Sequence, residues 1–120
     1  MTDHLTLDDL LTLVDDLDIG PVRDIGLLES AAHRPAAIVW GQEVYSTIDE
    51  KAAALLESVV RNHALVDGNK RLGWLGVVVF YAINGERLEA PDDEAYELVM
   101  QVAAGDIELA AIMSALARWH

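Results

Sequence analysis

The stretch His63-Ala64-Leu65-Val66-Asp67-Gly68-Asn69-Lys70-Arg71 decides how this chain is read. Helical periodicity runs up to it, from Ile48 to about Leu65, and away from it, from Asn69 to Asn84. The stretch is therefore predicted to be a helix–loop–helix joint. Gly68 is the natural place for a positive φ, which strains any residue with a Cβ. The turn after it leaves backbone N–H groups free at a helix start, where the positive end of the dipole suits an anion. Lys70 and Arg71 stand where that dipole disfavours cations, by roughly 0.3 kcal/mol or more each. The chain is short of cations, with 8 Lys+Arg against 21 Asp+Glu and a net charge of −13, yet Arg61, Lys70 and Arg71 crowd together. Two readings stand side by side: a bound anion such as phosphate, or pairing with some of the many carboxylates.

The 120 residues predict a single domain, 1–120, and 52% hydrophobic content is enough for a core. With no cysteine there is no disulfide framework and no thiolate metal site. The acidic start, without an apolar run, is not a secretory signal, and a cytoplasmic setting is expected. Leu72 to Ile83, the longest apolar stretch, is too short to span a bilayer. The acidic balance argues against duplex nucleic acid as a direct partner and suits a basic one.

Thr6 is a good N-cap for a helix from about 7 to 17, with Leu7, Leu10, Leu11, Val14 and Leu17 at helical spacing. Asp24 is expected to cap a short helix, Ile25 to Ala32, and Ala36 to Val39 to add a helical turn after Pro35. Trp40 to Ser46 lacks a helical period, and Gly41, Val44 and Tyr45 predict a loop or small hairpin there. Thr47 and Glu50 form a capping-box pattern. The helix behind it should bury Ala52, Leu55, Leu56, Val59 and Val60, with His63 on the same inward side. Leu72 to Ile83 reads as a buried helix that Gly73 and Gly76 let a neighbour approach. Pro91 to Glu94 starts a helix whose expected core face is Tyr96, Val99, Met100 and Ala103. Asp106 is expected to cap the last helix. The sum is an all-α domain of about six helices.

Within the joint, His63 is a candidate general base, against the alternative of a histidine that only closes a helix C-terminus. Asp67 is a candidate Mg²⁺ ligand or merely a turn former before glycine. Asn69 orients a phosphate or a loop carbonyl, or caps the next helix. No P-loop, GxGxxG or protein-kinase pattern is present.

The order His-x-x-x-Asp-Gly-Asn-Lys-Arg resembles the signature of the Fic/Doc superfamily, in particular its Doc ("death on curing") branch. Arg23 to Ala31 with Arg34-Pro35, Asn84-Gly85, Pro91 to Tyr96 and Ala103 to Gly105 resemble the same family, so the similarity runs from about residue 5 to 119. Four places depart from the family pattern: Ala64 for proline, Leu65 for phenylalanine, Leu72-Gly73 for Thr-Ala, and Trp74 where AMP-transferring relatives carry a second arginine.

The resemblance implies a compact Fic/Doc-type bundle of about six helices and a toxin of a toxin–antitoxin pair. It implies an ATP-dependent protein Ser/Thr phosphotransferase that inhibits translation by modifying elongation factor Tu. His63 would be the base, Asp67 would hold Mg²⁺, and Gly68, Asn69, Lys70 and Arg71 would hold the phosphates of ATP. A small Phd-like antitoxin would be the partner, with Trp40 and Tyr45 as anchors beside the early helices. Lys70 in place of glycine disfavours the alternative, protein AMP transfer. The departures keep open a third reading, a degenerate domain that only binds a partner.

Overall fold

The computed structural model describes residues 1–120. Six helices and one minute hairpin follow in order: α1 (Leu7–Leu17), α2 (Ile25–His33), a 3₁₀ turn (Arg34–Ala36), β1 (Ile38–Val39), β2 (Gln42–Glu43), α3 (Ile48–Asn62), α4 (Asn69–Ile83), α5 (Asp92–Ala104) and α6 (Leu109–Ala117). The expected all-α bundle is observed.

Helix α1 begins with a full capping box: the Thr6 hydroxyl accepts from Asp9 N and the Asp9 carboxylate from Thr6 N. At α3 only half of the expected box forms. Thr47 accepts from Glu50 N, while the Glu50 carboxylate takes the hydroxyls of Ser46 and Thr47 instead of the Thr47 backbone.

Helix α3 is the axis of the molecule. Ala52, Ala53 and Ala54 are wholly buried, and small side chains there let α2, α4, α5 and α6 all reach it. Leu55, Leu56, Val59 and Val60 are buried as the periodicity predicts. Helix α4 packs antiparallel on α3. A Cβ on Gly73 would fall 2.6 Å from a Val60 methyl, so this glycine sets the close approach expected of it. Leu72, Val77, Phe80 and Tyr81 carry that contact into a continuous 25-residue core.

Four expectations fail, each for a physical reason. The helical turn expected at Ala36 to Val39 lies earlier, at Arg34–Ala36 with Pro35 in its first turn. Ile38–Val39 is instead extended and pairs antiparallel with Gln42–Glu43. The loop-or-hairpin reading thus resolves as a hairpin turning on Trp40 and Gly41, both at positive φ (53° and 76°), the geometry of a tight primed turn. The core face of α5 is Ala95, Leu98, Val99 and Val102, while Tyr96 is 66% exposed and Met100 lies at the surface. Two overlapping apolar stripes coexist in that segment, and packing against α3 and α6 selects the other one. Asp106 does not cap α6; Glu108 precedes that helix, and Asp106 N closes the end of α5 on Gln101 O after the left-handed Gly105. Finally, α3 stops at Asn62 and does not run on to Leu65.

Candidate functional site

The α3–α4 joint is held by nonlocal backbone pairing. Val22 and Leu65 form an antiparallel bridge. Val66 N donates to Pro21 O at 3.0 Å, Gly20 N to Asp67 O at 3.1 Å, and Arg23 N and Asp24 N both to Ala64 O. Ala64 and Leu65 are buried, so leucine serves as the loop's apolar anchor. Asn69 straps the loop from below: its Nδ2 donates to Leu65 O and its Oδ1 accepts from Leu65 N, both at 3.0 Å. Of its expected roles the loop-carbonyl one is realised, and Gly68, not Asn69, precedes α4. Gly68 has φ 97°, and a Cβ there would fall 2.6 Å from Ile19. Both backbone and space therefore demand glycine.

His63 departs from its expected inward side. It is the C-cap of α3, left-handed at φ 53°, ψ 44°, and it is exposed. Reversing the chain at that residue swings the ring out of the Val59 row. Its carbonyl accepts from the Arg23 guanidinium. A histidine held in a conformation that costs a side chain of order 1 kcal/mol marks a place where position outweighs comfort.

His63, Asp67, Gly68, Asn69, Lys70 and Arg71 line one cleft of about 270 Å³, closed by Val60, Val66 and Ala103. All six residues singled out in the joint are thus brought together. Trp40 and Tyr45 are not part of it. Trp40 is 97% exposed at the hairpin tip. Tyr45 sits at the hairpin base, where its hydroxyl accepts from Arg34 Nε at 2.9 Å.

The cations divide into two sets. Arg61 does not serve an anion: it donates to Val102 O and Ile107 O and pairs with Glu57, tying α3 to the end of α5. Arg34 pairs with the same Glu57 at 2.8 Å. Lys51, 1% exposed, donates to Tyr45 O and pairs with Glu43. Arg61, crowded near Lys70 and Arg71 in the sequence, is thus a structural cation. Lys70, by contrast, makes no ion pair. Arg71 reaches Asp67 only at 3.9 Å, with both side chains well exposed, a contact worth little in water. Helix α4 starts with no side-chain cap and no acid in its first turn. Free N–H groups and two uncommitted cations therefore face one cleft, which is the chemistry of an anion site.

The Asp67 carboxylate is 84% exposed, and no group of three or more His, Asp or Glu is arranged to hold a metal ion. That donor set does not make a resident metal cage. It does fit a Mg²⁺ ion that arrives with phosphate oxygens and needs one carboxylate from the protein.

Two features escaped the sequence. One is the strap of residues 19–24, which is invisible locally because its partners lie about forty residues on. The other is an apolar groove of about 520 Å³ between α1, α4 and α5, walled by Leu17, Trp74, Leu75, Tyr96 and Met100 and bordered by Asp92, Lys70 and Arg71. Its signal was the unused second stripe of α5.

A family model for the Fic/DOC family matches residues 4–81, from just before α1 to the buried part of α4. The chain belongs to this family. It is 45% identical over 122 residues to the protein named Toxin Doc from Mycolicibacterium smegmatis (strain ATCC 700084 / mc(2)155), an alignment that covers 98% of this chain and 93% of that protein. The segments that form α5 and α6, beyond the family match, lie within that alignment. No helix is long and apolar enough to cross a membrane.

Proposed function

We propose that this chain is a Doc-like toxin, an ATP-dependent phosphotransferase acting on a Ser or Thr hydroxyl of a protein, with elongation factor Tu the target that the family implies. The observation that carries the reading is Lys70. It is a free cation at the uncapped start of α4, in the same cleft as an exposed histidine, on a protein that commits its basic residues other than Lys70 and Arg71 to carboxylates, carbonyls and an aromatic face.

In this reading His63 takes the proton from the target hydroxyl. The hydroxyl oxygen bonds to the γ-phosphorus as the bond from that phosphorus to the β,γ-bridging oxygen breaks, and ADP leaves with the electron pair. Lys70, Arg71 and the first N–H groups of α4 hold phosphate oxygens and offset the charge that builds on them. Asn69 acts through the loop, fixing Leu65 and with it the reach from His63 to Lys70. Mg²⁺, held by Asp67 together with phosphate oxygens, would supply further charge neutralisation. The lysine fills space that a glycine would leave for phosphates lying against bare backbone, so the γ-phosphate and not the α-phosphate is presented to the hydroxyl.

The partner in this reading is a small Phd-like antitoxin, with Trp40 its free anchor on the hairpin; Tyr45 is already engaged by Arg34. Expressed with its operon neighbour, the protein should purify as a complex, and Trp40→Ala should weaken it.

The test is incubation with γ-labelled ATP and a bacterial lysate. Wild type should label one abundant protein. His63→Ala should not, while melting as wild type does, since the ring is exposed and makes no hydrogen bond. Equal labelling by His63→Ala would remove the assignment of the base.

A further inference from the structure

The end of the bundle farthest from the cleft holds a second group of polar side chains. His120 Nε2 lies 2.6 Å from Asp49 Oδ1, in the first turn of α3, and its Nδ1 lies 3.3 Å from Glu86 Oε2, after α4. The hydroxyl of buried Tyr81, in α4, donates to the same Asp49 oxygen at 2.6 Å, and the His120 ring packs on the Tyr81 ring at 4.8 Å. The neighbouring residue is pinned as well. Trp119 O accepts from Glu89 N at 2.8 Å, Arg118 lies over the Trp119 ring, and that ring meets Trp74 edge-on at 6.1 Å. Trp74 is in turn a wall of the apolar groove that Lys70 and Arg71 border.

We propose that His120, gripped by Asp49 and Glu86, is a clasp that fixes Trp119 against Trp74 and so sets the shape of the apolar groove beside the cleft. His120 is a positioning residue in this account: it acts on the groove only through the two indoles.

The clasp has a built-in dependence on pH. Only the charged imidazole has two N–H groups, one for each carboxylate; the neutral ring must turn a lone pair towards one of them. Burial works against the charged ring. The hydrogen bond and charge of Asp49, followed by those of Glu86, outweigh it and raise the His120 pKa above the ordinary histidine value. Tyr81 gives its proton to Asp49 and stays neutral, since burial and Asp49 push its pKa up. Arg118, on the far side, is stacked on Trp119. A raised pKa means that the clasp contributes fully below the ordinary histidine range and is lost as pH rises through the raised value.

The experiment is a two-dimensional NMR titration of the whole chain, following the His120 ring and the indole N–H signals of Trp74 and Trp119 from about pH 5 to about pH 9. Both indoles should move with the midpoint of His120. In His120→Gln that movement should vanish. Glu86→Gln, at a half-exposed side chain that the fold does not need, should lower the His120 midpoint and shift both indole transitions with it. Indoles that ignore the His120 titration, or a midpoint unmoved by Glu86→Gln, would overturn the proposal. No ATP is involved, so its failure and a failure of the phosphotransfer reading are told apart.

Discussion

The two ends of the α3–α4 pair, roughly 22 Å apart for fifteen-residue helices, treat their polar residues in opposite ways. Where α3 begins and α4 ends, Lys51, Asp49, Tyr81 and His120 are bonded to one another or to backbone, mostly out of water. Where α3 ends and α4 begins, His63, Asp67 and Lys70 project from a tightly bonded loop and leave their functional atoms without strong partners. The loop backbone there is well bonded, while the side chains and the first N–H groups of α4 are uncommitted. The first end spends its polar groups on holding the bundle together. The second leaves them uncommitted.

The contrast breaks if changes at the two ends have the same consequences. Lys70→Gly should reduce transfer of γ-label by ~10²-fold through lost charge and misplaced phosphates, with the melting temperature within error of wild type; a large loss of stability would mean that Lys70 has a structural partner after all. Lys51→Met should do the reverse. It leaves Tyr45 O without its donor in a half-buried place and should cost about 2 kcal/mol in denaturant unfolding, with γ-transfer per folded molecule little changed. Gly68→Ala, at the seam between the two behaviours, should lose both: about 2 kcal/mol from the positive φ and the clash with Ile19, and activity because the loop carries His63. Tyr81→Phe should cost the least, about 1 kcal/mol, because Asp49 keeps its bond to His120.

Much of this was legible in the sequence because it was local. The Thr6 cap, the Thr47 start, the positive φ of Gly68 and the apolar length of α4 are each set within a few residues, and they fix six helices and the joint. The candidate residues that line the cleft were legible as a group for the same reason, being packed into nine consecutive positions. Direction was not. His63 continues the inward row of Val59 only if the helix continues, and one left-handed residue turns it outward. Two partners of Arg61 are carbonyls 41 and 46 residues away, and only Glu57, one helical turn before it, was a local sign of a structural arginine. Helix α5 carries two apolar stripes, and only the neighbours on α3 and α6 decide which is buried.

The central claim is that the free cations of the α3–α4 joint present the terminal phosphate of ATP to a hydroxyl beside His63. The most direct measurement compares wild-type protein given ATP labelled at the γ-phosphate with the same protein given ATP labelled at the α-phosphate, in the same bacterial lysate. Label should pass to protein from the γ position only. Lys70→Gly should lose most of that signal and gain at most a trace from the α position, because Trp74 occupies the place of the second arginine. Transfer of α-label by the wild-type protein would contradict the account and make the cleft a nucleotidyl-transfer site.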